Sequence, residues 1–270
     1  MLVKASTANS PIFMHTDVSK VARSTLRRID SNKGLLPGLH KFLRDSFPEQ
    51  ELWFPAFNYD FAKTLVFDPT NDPIQVGALN ESLRNSGEYV RSFVPIFSIL
   101  RPTASASTRF RPKVNPFDLQ GEFAELRDRN GAIAFFGASI ESLTFIHFVE
   151  KLAEIPYRFE KCFSGQMLLD NEITQMSLVY LVRPLSLRLE YNWQKISKLL
   201  SDAQINYKNS RFGEYEIYNA NALTEFMLTR FAEDIFWTLT EDSKIQAQIK
   251  LEALGREFRV EDFEPDTSNA

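Results

Sequence analysis

The chain has 270 residues, 44% hydrophobic and 24% charged, with a formal net charge of −4 at pH 7. That composition is globular and long enough to bury a real core. The 31 basic residues are scattered rather than gathered in a stripe, which disfavours a nucleic-acid binder. No apolar run approaches the roughly 20 residues that a membrane span needs. The first ten residues lack the apolar stretch of a signal peptide. One cysteine, Cys162, excludes an internal disulfide and zinc sites built on four cysteines or on two cysteines and two histidines, and no metal is expected. The expectation is a soluble cytoplasmic protein.

In chain order, residues 11–14 form a short apolar, strand-like run, followed by helical spacing over 18–29 and 38–47. A second strand is expected at 52–54, a helix at 76–85, and an irregular surface stretch at 101–116. Residues 132–136 read as a buried strand, 142–155 as a helix, 178–182 as a strand, and 191–203 and 222–239 as helices. Strands alternating with helices predict an α/β fold, a mostly parallel or mixed central sheet flanked by helices. There are no repeats and no linker rich in Gly, Ser or Pro, so residues 1–270 are expected to form a single domain. The 24 phenylalanines read first as core and second as a flat apolar substrate site.

Ligands in such sheets bind where strands end and helices begin, because helix N-termini offer free amides to anions. Two junctions carry residues suited to chemistry. One is His15-Thr16-Asp17-Val18-Ser19 and the other is Gly137-Ala138-Ser139-Ile140-Glu141. Neither is a Walker loop or a dinucleotide fingerprint. Of the three histidines, His40 reads as a surface or half-buried helical residue, and His15 closes the first strand. His147 stands in a helical stretch with Thr144 and Glu150 one turn to either side. Either Glu141 or Glu150 could orient its ring, although spacing alone favours a structural histidine over a catalytic one.

The run from Gly137 through Glu141, Thr144, His147 and Glu150, followed by Ile155-Pro156-Tyr157-Arg158, resembles the signature of the aminoglycoside 3-N-acetyltransferase family, G-x-x-x-D-x-x-T-x-x-H-x-A-E, with Glu141 in place of the usual Asp. Phe13-Met14-His15-Thr16-Asp17-Val18-Ser19, Trp53-Phe54-Pro55-Ala56-Phe57, Phe67-Asp68-Pro69 through Gly77, Arg91-Ser92 and Val182-Arg183 resemble further landmarks in the family's order. The resemblance implies that family's fold and direct transfer of acetyl from acetyl-CoA to an amine. His147 would be the general base, and Glu141, Thr144 and Glu150 would share the catalytic site. CoA would lie over Thr16, Asp17, Val18 and Ser19, with Ser98 as a further contact. Of the two carboxylates, Glu141 is expected to hold the imidazole, because the motif places its acid there.

Where many members carry two histidines, this chain has Val94 and Phe97, while Pro95 and Ser98 remain. A polycationic aminoglycoside should meet an acidic site, and no strong acidic cluster is visible. The expected acceptor is therefore an amino sugar linked to a nucleotide, as in surface-polysaccharide biosynthesis. Arg101, Arg109, Arg111 and Lys113 are placed to meet its diphosphate. The alternatives are an aminoglycoside acceptor, with antibiotic resistance as the outcome, or a non-catalytic binding protein of the same fold. Oligomeric state is not legible.

Overall fold

The computed structural model describes residues 9–264 except 22–25, 31, 33, 107–109 and 210–214. The centre of the fold is β1 (Pro11–Thr16), which lies between β2 (Glu51–Pro55) and β7 (Ala132–Phe136) and runs parallel to both. A strand parallel to both neighbours is covered on both faces, which is why its sequence is apolar without alternation. Phe13, with Trp53, Ile133 and Phe135, packs into one core. Ile12 and Met14, with Leu52, Phe54, Ala134 and Phe136, pack into the core on the opposite face.

Antiparallel strands extend this sheet. β4 (Tyr89–Arg91) and β5 (Ile99–Pro102) lie beyond β2, and β10 (Asn206–Asn209) and β11 (Tyr215–Asn219) lie beyond β7. The order is β10-β11-β7-β1-β2-β5-β4. The sheet is thus mixed rather than mostly parallel, since its parallel pairings are those of β1. A second sheet, β3-β8-β9-β6, is built on the long hairpin of β8 (Phe159–Leu169) and β9 (Glu172–Val182), with β3 (Val66–Phe67) and β6 (Lys113–Val114) at its edges. The hairpin turns on Asp170 and Asn171, both at positive φ (51° and 65°), as a tight two-residue turn matched to strand twist requires. The sequence reading found only the end of this hairpin.

The helices are α1 (Leu35–Ser46), α2 (Phe61–Thr64), α3 (Ala78–Arg84), α4 (Glu122–Asp128), α5 (Ile146–Leu152), α6 (Trp193–Asp202), α7 (Ala220–Glu233) and α8 (Glu241–Leu254). Asn192, Asn219 and Thr240 cap α6, α7 and α8 with their side-chain oxygens. Two expected helices are shorter than their periodicity. Residues 142–155 split into a 3-10 turn at Ile140–Ser142 and the short α5. Residues 18–29 begin as a 3-10 turn at Val18–Lys20, and 22–25 fall outside the described residues. No helix among the described residues is long and apolar enough to cross a membrane. His40, expected at the surface or half-buried, is buried in α1 and hydrogen-bonded to the Tyr89 hydroxyl at 3.0 Å.

Candidate active site

The two junctions lie side by side. Gly137 ends β7 at φ +71°, where a Cβ would stand 2.3 Å from the Asp17 carbonyl oxygen. Only glycine therefore lets the end of β7 close on the loop after β1, where the Asp17 amide donates to Phe136 O at 2.9 Å. The paired ends open onto a cavity of about 1290 Å³ whose walls come from both sheets and from residues as distant in sequence as Thr16 and Glu264.

From Gly137 the chain makes its 3-10 turn and enters α5 with His147 in the first turn. Glu150, three residues on, is wholly buried on the same face, and its Oε2 lies 2.9 Å from His147 Nδ1. The Tyr191 hydroxyl, from the segment leading into α6, donates to the other Glu150 oxygen at 2.6 Å. It accepts from Arg158 Nη2 at 2.7 Å and lies 3.3 Å from His147 Nδ1. Arg158 Nε completes an ion pair with Glu150 at 3.1 Å. A carboxylate can only accept, so Nδ1 carries the hydrogen and the lone pair is on Nε2. The half-buried His147 lines the cavity, and Nε2 has no partner among the described residues.

The electrostatics follow from this packing. Burial pushes the Glu150 carboxyl up, but Arg158, the His147 and Tyr191 hydrogen bonds, and the histidine's charge more than offset it, so Glu150 is held below its ordinary range. Burial lowers the His147 pKa; the Glu150 bond works against that, and the charges of Arg158 and Arg183 add to it. Tyr191 is pushed far up by burial and stays protonated.

Glu141 is not the orienting carboxylate. It is exposed at the cavity wall, on a 3-10 turn that does not continue into α5, so the expected return to the ring does not occur. Thr144 also precedes α5 and lines the cavity half-buried, with its carbonyl accepting from the His147 amide at 3.1 Å. Arg158 and Tyr191 were not singled out by sequence reasoning. Arg158 stood in the quoted motif without a role, while Tyr191, 41 residues beyond Glu150, carried no local signal.

Thr16, Asp17, Val18 and Ser19 all line the cavity, yet the loop has fewer free amides than expected. Asp17 Oδ1 accepts from the Ser19 amide at 3.1 Å and the Ser19 hydroxyl at 2.5 Å, so Asp17 caps the turn as its chemistry predicts. With the Asp17 amide on Phe136, only the Val18 amide of these three lacks a backbone or side-chain acceptor among the described residues. Free polar capacity lies deeper in the wall, where His15 Nε2, Thr16 Oγ1 and Asn80 Oδ1 are buried and unpartnered. Lys20 adds a cation at the loop's end.

Ser98 does not belong to the site. It is fully buried, accepts from Arg91 Nε at 2.7 Å and donates to Ala56 O at 2.7 Å, which locks β5 to the end of β2. The described cations of the basic stretch do not line the cavity either. Arg101 is buried over the Trp53 ring at 3.9 Å and ion-paired with Glu125 at 2.5 Å. Arg111 bonds Gln120 O, Lys113 is exposed on β6, and neither lines the cavity. Arg109 lies outside the described residues. Phe97 does line the cavity, whereas Val94 packs into the core under the second sheet.

Known proteins match this arrangement. The chain aligns with aminoglycoside N(3)-acetyltransferase VII of Streptomyces paromomycinus at 31% identity over 112 residues, 38% of this chain and 39% of that relative. It thus matches about two fifths of that relative's length. A crystal structure of the aminoglycoside acetyltransferase AAC(3)-IVa apoenzyme superposes with a TM-score of 0.67 at 15% identity, covering 92% of this chain and 93% of that one. AAC(3)-Xa gives 0.68 at 19% identity over 86% and 90% of the two chains. AAC-IIIb, solved as a binary complex with CoASH, gives 0.67 at 19% identity over 86% and 93%. At these identities the structures establish the shared α/β fold. The sequence model described as aminoglycoside 3-N-acetyltransferase matches residues 40–232, from α1 to α7, and on that match the chain belongs to the aminoglycoside 3-N-acetyltransferase family.

Proposed function

We propose that the protein is an acetyl-CoA-dependent N-acetyltransferase acting on a primary amine of an amino sugar, with His147 as general base. The observation that carries this reading is the His147–Glu150–Tyr191–Arg158 network, which leaves Nε2 as the basic nitrogen at the cavity wall. An alkylammonium is not a nucleophile. His147 Nε2 takes its proton, and the freed nitrogen attacks the thioester carbonyl carbon. As the tetrahedral adduct collapses, the C–S bond breaks and the thiolate takes the proton held by the imidazolium. The neutral imidazole then removes the second proton from the former ammonium nitrogen and passes it to solvent, which leaves a neutral amide and a free thiol. The hydroxyl of the half-buried Thr144, at the cavity wall, is the nearby side-chain donor for the transient oxyanion.

The cavity suits a long cosubstrate. Thr16, Val18, Ser19 and Lys20 can meet the phosphates and amides of acetyl-CoA, and the unpartnered His15 Nε2, Thr16 Oγ1 and Asn80 Oδ1 offer polar contacts along its arm. That the walls draw on both sheets supports one acetyltransferase unit over the whole chain. Family membership favours an aminoglycoside-type acceptor over the nucleotide-linked sugar expected from sequence; of the cations meant for a diphosphate, Arg101 and Arg111 are engaged elsewhere and Lys113 does not line the cavity. A cytoplasmic location, where acetyl-CoA is supplied, belongs to the same reading.

The test is thiol release from acetyl-CoA with a panel of amino sugars and aminoglycosides, comparing the wild type with His147→Gln. Loss of about two to four orders of magnitude in a folded variant is expected. A folded variant that keeps more than about a tenth of the rate would show that His147 is not the base.

A further inference from the structure

We propose, resting on the acetyl-transfer reading above and departing from a polyamine acceptor, that this chain's acceptor is an amino sugar of low charge that carries one ammonium group and lays an apolar face along the part-exposed rings of an aromatic cluster that reaches the base. The cluster is continuous. The Phe117 ring meets the His147 ring edge-on at 5.5 Å, and Phe97 meets Phe117 at 5.0 Å. Phe97 also touches Phe57 and Tyr180, each at 5.4 Å, and Tyr180 stacks on Phe163 at 5.4 Å. Of these rings Phe97, Tyr180 and Phe163 are part-exposed at the cavity, while Phe57 and Phe117 are buried behind them, and Phe97 is the hub.

The backbone holds that hub in place at a cost. Ile96, a β-branched residue, sits at φ +66° in a three-residue turn closed by the Phe97 amide on Pro95 O at 2.8 Å. Such a conformation is strained for a β-branched residue and persists only where its surroundings impose it. Here the Asn58 amide bonds Ile96 O at 3.1 Å, and the turn delivers the Phe97 ring to the cavity.

The charges give the second, independent argument. Lys20 pairs with Asp17 at 3.3 Å, Lys161 with Glu264 at 2.6 Å, and Arg158 with Glu150 at 3.1 Å. Among the described lining residues this leaves Glu141 as the carboxylate without a cation and Arg183 as the cation without a carboxylate. Arg183 is close enough to the base to act on its charge. One ammonium therefore finds one carboxylate, while further ammonium groups would face the Arg183 guanidinium with no second free carboxylate among the described lining residues to balance them. Apolar sugar faces and aglycones bury favourably on such rings.

The experiment compares two probes by thiol release, kanamycin as the polyamine and a phenyl glycoside of 3-amino-3-deoxyglucose as the monoamine. Acetyl-CoA binding is measured in parallel by calorimetry. The expected result is a kcat/KM for the monoamine at least about tenfold above that for kanamycin. Phe97→Ala should raise the monoamine KM by about tenfold, and Phe97→Tyr, which keeps the ring, should restore it. If Phe97→Ala fails to fold, Phe97→Leu replaces it with the same expectation. Equal or greater turnover of kanamycin overturns the inference and leaves acetyl transfer standing. A monoamine preference unmoved by losing the Phe97 ring also overturns it. Turnover of neither probe, with acetyl-CoA bound, overturns the inference and the transfer reading together.

Discussion

Tyr191 and His147 do not compete for Glu150: the tyrosine donates to Oε1 at 2.6 Å, and the imidazole Nδ1 lies 2.9 Å from Oε2. Each carboxylate oxygen therefore has its own donor, and Arg158 balances the buried charge from the side. Carboxylate rotation would break two hydrogen bonds at once, so ring orientation and tautomer are set before any substrate arrives.

The two glutamates should accordingly behave differently. Glu150→Gln replaces a carboxylate by an amide in a fully buried pocket and leaves Arg158 without its counter-charge, a type of loss that costs about 3–5 kcal/mol. It should lower kcat by about 100-fold or more in whatever fraction folds. Glu141→Gln should leave thermal stability and kcat at saturating acceptor nearly unchanged while raising the acceptor KM. The converse pattern, kcat lost in Glu141→Gln and kept in Glu150→Gln, would reverse the assignment.

The pH profile follows from the lowered His147 pKa. For the base proposed above the active form is neutral imidazole, so the expected kcat/KM holds above the folded-state pKa and falls as pH drops through it. Burial, with Arg158 and Arg183, places that limb below the ordinary histidine value of about 6.5, with Glu150 pulling the other way. An acid limb centred at or above about 6.5 would contradict the geometry.

Ser98→Ala separates scaffold from site. The substitution leaves Arg91 Nε without its hydrogen-bond partner in the interior, while Ala56 O keeps the Arg91 Nη2 donor, and should cost about 1–3 kcal/mol in chemical denaturation. The KM for acetyl-CoA should stay within about twofold of wild type. A large rise in that KM with stability intact would return Ser98 to the cosubstrate site.

His15 is the acid-sensitive point of the core. It is stacked on Phe135 at 5.2 Å and edge-on to Phe13 at 4.9 Å, and burial lowers its pKa to about 3. The folded state then binds fewer protons than the unfolded one between about pH 6.5 and 3. Stability is full above the unfolded value and is lost as pH falls through that window, by up to about 5 kcal/mol from this residue. His15→Phe should flatten the loss, as measured by urea midpoints across the window. Parallel curves for the two proteins would rule the mechanism out.

Sequence by itself determined the centre of the fold and the residues from which the proposed base and its partner are drawn. Residues 11–14 and 132–136 are apolar throughout because both faces of β1 and β7 are covered, and this signal needs no tertiary knowledge. Gly137, Thr144, His147 and Glu150 were legible because their spacing is local and resembles a family signature. The choice of Glu150 over Glu141 was decided by tertiary structure, because the 3-10 turn at Ile140–Ser142 breaks the helix that a periodic reading continues. The partners of Glu150 were decided there too. Tyr191 reaches it only because the segment before α6 packs across α5, a contact spanning 41 residues that no local pattern encodes. Charge followed the same division: the sequence showed four cations in a basic stretch, but which cations face the cavity depends on the long-range pairings that bury Arg101 on Trp53 and leave Arg183 near His147.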